Sequence, residues 1–461
     1  MRYPVVTWLL TLVAALLPTY LFRFHVFGIP TTALELLVLL TIATALIQYT
    51  YAWKISNNFP FGRSPVGRQL LFTNYQLPIA VALFVAAGTL SVFVAPDTRA
   101  ALGLWKAYIL EPIALFFIAV FALKTTRDRQ RIVIGLTLSA IFVALIGLFQ
   151  KFFPDGIFGF WGIYRSASNT EWYAEATRRV TSVYSFPNAV GLFLAPLTVL
   201  LRGILMHSVQ RFTDDKRKYD PRQLILFLLL VLSSFLLVVA VFWARSQGAL
   251  VGIVAGVIVL GLLSEHWRRL TAKILTVLAI LFFLALPFQQ LVIEEFGLKD
   301  ASIPIRYKQY KETWRCLTSS PKTIVFGGGL SGYKQLVAPC HRSKAIEIFQ
   351  YPHNIILNFW SEMGLLGLGS FAWIVFLFYR RGIQFIFWTR KTRVKEPHLF
   401  HPNPIALPMA LLGAMTALLV HGLVDIPYFK NDLAVLFWLL IALMLTSTTT
   451  KTLKSTIVLD K

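Results

Sequence analysis

The sequence predicts an all-α polytopic membrane protein of about twelve transmembrane helices, with a long, partly helical extracytoplasmic loop between spans 9 and 10. Three observations carry that expectation. Of 461 residues, 57% are hydrophobic and only 14% charged, where a soluble domain has roughly 25% charged residues. Apolar runs near the roughly 20 residues that cross a bilayer recur along almost the whole chain, each bounded by Pro, Gly or charge. Basic residues are sorted between alternate connections, as orientation in a membrane demands. With 27 glycines and 2 cysteines among so many apolar residues, disordered, collagen-like and disulfide-dense secreted classes are excluded.

The spans fall at about 4–22, 31–53, 76–95, 101–123, 131–150, 186–206, 223–243, 247–263, 272–292, 354–378, 405–425 and 432–449. Each must be helical, because hydrocarbon offers no partner to exposed backbone groups. The first run is followed by Phe22, Arg23 and Phe24, which are not the small residues of a signal cleavage site, so it reads as a retained span. Neither a short repeat nor a correspondence between the two halves is visible, which argues against a repeat-built transporter. The chain therefore reads as one integral membrane domain, 1–461, containing a long extracytoplasmic loop at 293–353.

With the N-terminus inside, the cytoplasmic segments carry 26 Lys and Arg, against 8 in the outside loops other than 293–353. Both termini are thus expected in the cytoplasm. The net charge of +23 becomes a topology signal with attraction to anionic lipid, and nucleic acid is not an expected partner. Asp214 and Asp215, among Lys216, Arg217 and Lys218, read as a solvated loop face, and no acidic cluster suits a nucleotide-sugar metal site. The asymmetry lies outside, in a moderate loop at 151–185 and the long loop at 293–353; long loops usually carry function.

Several residues there could do chemistry. His353, in Tyr351-Pro352-His353-Asn354, stands just before the tenth span. A helix N-terminus disfavours a second positive charge, so the ring reads either as a neutral base or as a loop histidine capping the helix. Arg245 sits in a turn so short that it presents one cation at the outer ends of two helices, as an anion ligand or as a snorkelling side chain. Arg306 belongs to Ile305-Arg306-Tyr307-Lys308-Gln309-Tyr310-Lys311, the pattern of an amphipathic surface helix. Two arginines and a helix N-terminus would suit a diphosphate. Gly327-Gly328-Gly329-Leu330-Ser331-Gly332 formally matches a dinucleotide fingerprint, but without a strand-helix-strand unit it reads as a tight turn. Lys106 and Glu111 share the fourth span, and His421 stands four residues before Asp425. These intramembrane ionisable groups read as partners of an outward-facing cationic site. Cys316 and Cys340, the only cysteines, are expected to form a bridge in an oxidising compartment.

Three stretches in order resemble the bacterial O-antigen ligase superfamily, which also contains O-antigen polymerases and protein O-oligosaccharyltransferases. They are Thr181 to Ala189 with Pro187-Asn188, the turn Arg245-Ser246-Gln247-Gly248-Ala249, and the path from Arg306 through Trp314, Pro321 and Gly327-Gly328-Gly329 to His353-Asn354 and Glu362-Met363-Gly364-Leu365-Leu366-Gly367. The resemblance implies a glycosyltransferase in the bacterial cytoplasmic (inner) membrane. It would move a glycan from an undecaprenyl-diphosphate donor to an acceptor hydroxyl, such as lipid A-core, on the outer face, with inversion and without metal, ATP or other cofactor. His353 takes the family's catalytic histidine, and Arg245 and Arg306 its essential arginines. Arg179, Asn188, Asn354, Glu111, Lys106, His421 and Asp425 are expected around the substrates. Ligase is the leading expectation, with polymerase, protein oligosaccharyltransferase and, from another class, a polyprenol-glycan transporter as alternatives.

Overall fold

The computed structural model describes residues 3–56, 75–153, 179–214, 221–284, 302–342, 347–392 and 403–449. Most of the outer loop 151–185, the start of the loop 293–353, and Asp215, Lys216, Arg217 and Lys218 lie outside the described residues.

The chain is built of helices. α1 (Pro4–Ala15) ends before Pro18, which lacks the N–H to continue it. The chain instead turns through a short 3-10 segment into an antiparallel hairpin, β1 (Arg23–Val26) and β2 (Ile29–Thr32). Phe27 and Gly28 both take positive φ, as the tightest hairpin turn requires of its two central residues. There follow α2 (Ala33–Ser56), α3 (Gln76–Val94) and α4 (Thr98–Trp105), which continues through a π turn into α5 (Glu111–Ala122). Pro112 cannot donate to the preceding turn. The Tyr108 carbonyl there accepts a hydrogen bond from Tyr428 Oη at 2.8 Å.

α6 (Thr126–Phe152) opens with a capping box, Thr125 and Asp128 each bonding the other's backbone N–H. Next come α7 (Pro187–Asp214), α8 (Pro221–Ala244), α9 (Gln247–Leu263) and α10 (Arg268–Leu284). Three helices, α11 (Ser302–Leu317), α12 (Pro321–Phe326) and α13 (Tyr333–Val337), precede α14 (Ile355–Lys391), α15 (Ala406–His421) and α16 (Asn431–Ser447).

Each of the twelve expected segments carries a helix. However, seven runs among the described residues, α2, α3, α4 with α5, α6, α7, α8 and α14, are long and apolar enough to cross a bilayer; α1, α9, α15 and α16 are apolar but shorter. The boundaries differ because turn-forming sequence ends helices before apolar composition does. The first span yields to a hairpin, and the eleventh stops at His421, so that 422–430 forms a connection.

Two packing features place the outer residues. On α9, Gly248, Gly252 and Gly256 recur every four residues, one face of a helix. A Cβ at Gly252 would come within 2.6 Å of the Ala417 carbonyl, so α9 and α15 meet backbone to backbone. Gly252→Leu should push them apart, at a cost of about 1–3 kcal/mol, read as a lower Tm of the detergent-solubilised protein. In α14 the helix breaks at Gly364, which has φ 68°. The glycine turn docks there: Gly328 N–H donates to Ser361 O at 2.7 Å, and Ser331 N–H to the buried Glu362 carboxylate at 2.6 Å. The run is a docking turn, as expected.

Candidate functional site

The site assembles where α14 begins and α15 ends. Asn354 caps α14, its Oδ1 accepting from the N–H groups of Ile356 and Leu357 at 3.0 and 3.1 Å. Its amide donates to Leu423 O at 2.9 Å, and Ile355 N–H donates to Gly422 O at 2.7 Å. These bonds tie the head of α14 to the turn after α15, and so bring Asp425 against His353. The imidazole Nδ1 lies 3.3 Å from Asp425 Oδ1, which also accepts from Ile426 N–H at 2.9 Å. With Nδ1–H donating to the carboxylate, Nε2 is left to accept a proton.

His353 has φ 48°, a left-handed conformation costly for a side-chain-bearing residue. Tyr310 Oη on α11 holds it there by donating to the His353 carbonyl at 2.8 Å. Burial pushes the Tyr310 phenol up, against the lowering charge of Arg306, so the hydroxyl stays a donor. The rings of Phe349 and Tyr351 meet the imidazole edge-on, and its side chain remains 23% exposed.

His421 and Asp425, four residues apart, do not share a helical face, because the helix ends at His421 and the chain turns. His421 is buried under Gly248, whose added Cβ would lie 2.6 Å from His421 Cδ2 and 2.7 Å from Val424 Cγ2. That contact seats the Arg245 turn against the chain leading to Asp425. Arg245 itself has φ 48° and an exposed side chain, which has no hydrogen-bond or carboxylate partner among the described residues. Arg306, half-buried on α11, likewise has none among the described residues, and its charge reaches both Tyr310 and His421.

Arg179 and Asn188 stand behind the turn, not among these open cations. Arg179 donates to Ala244 O at 3.0 Å, Arg245 O at 3.3 Å and Asn188 Oδ1 at 2.9 Å, closing the C-terminal end of α8. Its neighbours are clamped by Gln150, whose amide accepts from the N–H groups of Thr181 and Ser182 at 2.8 Å. Lys106 pairs with Glu35 on α2, and Glu111 is buried close by. These three form a cluster of their own and are not seen to support the arginines. Cys316 and Cys340 are bonded, joining the last turn of α11 to the segment after α13.

Sequence reasoning missed Glu35, Gln150 and Tyr310, and did not bring Asp425 to His353. A lone Gln in an apolar run, and an acid opening a span, were the available signals.

Burial acts to raise the pKa of Asp425, but the hydrogen bond and charge of His353, with His421 and Lys430, hold it below the ordinary carboxylate range. A depressed carboxylate contributes stability that is present above its unfolded pKa, about 3.9, and is lost as pH falls through the folded value. The Tm advantage of the wild-type chain over Asp425→Asn should therefore narrow as pH drops below about 4.

No curated protein matches the chain. Residues 232–372 match the family model described as O-Antigen ligase, a stretch containing Arg245, Arg306, His353 and Asn354 but ending before His421 and Asp425. The match over 232–372 supports membership of the O-antigen ligase superfamily.

Proposed function

We propose that the protein transfers a glycan from an undecaprenyl-diphosphate donor to an acceptor hydroxyl at the outer face of the bacterial cytoplasmic membrane, with lipid A-core as the acceptor of a ligase. The observation that carries this reading is the His353–Asp425 pair, 3.3 Å apart, at the same end of the bundle as two arginines without carboxylate partners among the described residues. The acceptor oxygen attacks the anomeric carbon as the bond to the diphosphate breaks, and its proton passes to His353 Nε2. Asp425 orients the ring and balances the imidazolium. The diphosphate departs with its own electron pair, so it needs charge neutralisation more than a proton, which Arg245 and Arg306 supply.

The outer-face assignment rests on the basic-residue asymmetry, and a bridged Cys316–Cys340 pair accords with an oxidising compartment. The test is incubation of the purified protein with a lipid-diphosphate glycan and lipid A-core. Glycosylated acceptor with release of the lipid diphosphate is expected. Donor movement across vesicles without any transfer would overturn the reading in favour of a transporter.

A further inference from the structure

The helices of the outer loop carry apolar surface that the bundle leaves uncovered, and α12 is fixed at a definite depth. A Cβ added at Gly364 would come within 2.8 Å of Phe326 Cα, and Trp360 Nε1 donates to Ile324 O at 2.7 Å. The backbone at Val325 and Phe326 therefore lies against the break in α14. The glycine turn that follows reaches the last turn of α3, where Leu330 N–H donates to Ser91 O at 3.3 Å. Both α3 and α14 are long and apolar enough to cross a bilayer. Beside these contacts each turns bare apolar side chains outward: Phe93 on α3, 80% exposed, and Leu365 and Leu366 on α14. Val325 and Phe326 are exposed at the same level, so α12 continues the lipid-facing surface of two spans.

α11 adds the side chains of a membrane interface. Trp314 meets Trp360 edge to face, with ring centroids 5.3 Å apart, yet is itself exposed. Tyr307, Lys311 and Trp314 recur at i, i+4 and i+7, one face of the helix, and Lys311 Nζ lies 4.4 Å from the centre of the Tyr307 ring. Lys308, Arg315 and Lys322 are exposed alongside. Glu312, the one acid of α11 and α12, is drawn away from this face: His341 Nδ1 lies 2.8 Å from its Oε2, and Arg342 N–H donates to its Oε1 at 3.0 Å.

This composition selects the partner. Tyr and Trp collect at the headgroup level of a bilayer, and Lys and Arg keep their stems in apolar surroundings while their charges reach the phosphates. We infer that α11 and α12 are seated in the outer leaflet as an interfacial anchor. Val325, Phe326 and Trp314 lie at the acyl boundary, and Lys311, Arg315 and Lys322 meet the phosphates of anionic phospholipids. The seating is independent of glycan transfer. Because α11 also carries Arg306 and the Tyr310 hydroxyl that holds the His353 carbonyl, the anchor sets the site at headgroup depth, where a lipid-borne diphosphate lies.

The test uses the full chain in nanodiscs containing phosphatidylglycerol, with a nitroxide on Val325→Cys or Phe326→Cys. The two native cysteines are bonded to each other, so the introduced thiol takes the label. Phe93→Cys is the lipid-facing reference, and Glu347→Cys, at an exposed acid, the aqueous one. Power-saturation EPR should give both α12 positions the behaviour of Phe93→Cys: open to oxygen, which concentrates in hydrocarbon, and closed to a water-soluble nickel chelate. Nickel access equal to that of Glu347→Cys would place α12 in water and overturn the anchor. Shielding from both reagents would mean that protein, such as a second copy of the chain, covers α12, and would overturn it too. Either α12 position carries the test if the other variant fails to fold.

A second arm compares phosphatidylglycerol with phosphatidylcholine nanodiscs. Shielding of Val325→Cys from nickel should be stronger in the anionic lipid, and Lys311→Gln, Arg315→Gln and Lys322→Gln together should abolish that difference. Equal shielding in the two lipids, or a difference that survives the triple substitution, would overturn the phosphate contacts.

Discussion

His353→Ala protein is expected to transfer glycan roughly 10² to 10⁴ times more slowly than wild type, while still binding the lipid-diphosphate donor. The reason is the division of labour at the head of α14. In the proposed mechanism Arg245 and Arg306 meet the donor, whereas His353 meets only the acceptor hydroxyl, so removing the imidazole should leave the diphosphate site intact. The fold should also survive, because α14 is started by the Asn354 side chain and the Ile355 N–H, and neither bond involves the imidazole. Single-turnover transfer and donor binding, measured on the same preparation, check both halves. Near-normal turnover would eliminate His353 as the base whatever the arginines did.

Arg245→Lys and Arg306→Lys should each impair transfer as well, by roughly 10-fold to 100-fold. Complete removal of a donor to developing negative charge costs about 10² to 10³, and an ammonium restores the charge without the bidentate pairing. Neither guanidinium is committed to a structural partner among the described residues, so the Tm of both variants should stay near wild type. Arg179→Ala should behave in the opposite way. Its guanidinium closes the end of α8 with bonds to two carbonyls and to Asn188, so its loss should lower the Tm and weaken transfer indirectly, through a loosened Arg245 turn. Thermal unfolding alongside transfer kinetics separates the two kinds of arginine. A stable, active Arg179→Ala chain would remove the positioning role.

Much of the architecture was legible because bilayer thickness imposes one length on every apolar run, and that constraint is read directly from composition. Helix ends were less legible, since they depend on single residues: Pro18 stops α1, Gly364 breaks α14, and the chain turns at Gly422. The ends matter most at the site. Reading the eleventh span through residue 425 put His421 and Asp425 on one helical face, and the pairing of Asp425 with His353 follows only when the helix stops four residues earlier. His353 and Arg245 could be singled out by their position at the ends of spans, and Arg306 by the amphipathic pattern around it in the long loop. Their neighbours could not, because Tyr310 and Gln309 reach the His353 segment from 43 and 42 residues away in sequence. The four-residue glycine spacing on α9 was visible in the sequence, but its partner helix was not. Packing α9 onto α15 is what carries the Arg245 turn to the segment containing Asp425.

The central claim is a direct displacement, with the acceptor hydroxyl deprotonated on one side of the anomeric carbon and the diphosphate held on the other. The measurement that tests it most directly is the anomeric configuration of the new glycosidic bond, determined by NMR of the product against a donor of known configuration. One displacement predicts inversion. Retention would require a second displacement, through a covalent glycosyl-enzyme or an equivalent intermediate, and would contradict the assignment of His353 as a base acting on the acceptor in a single step.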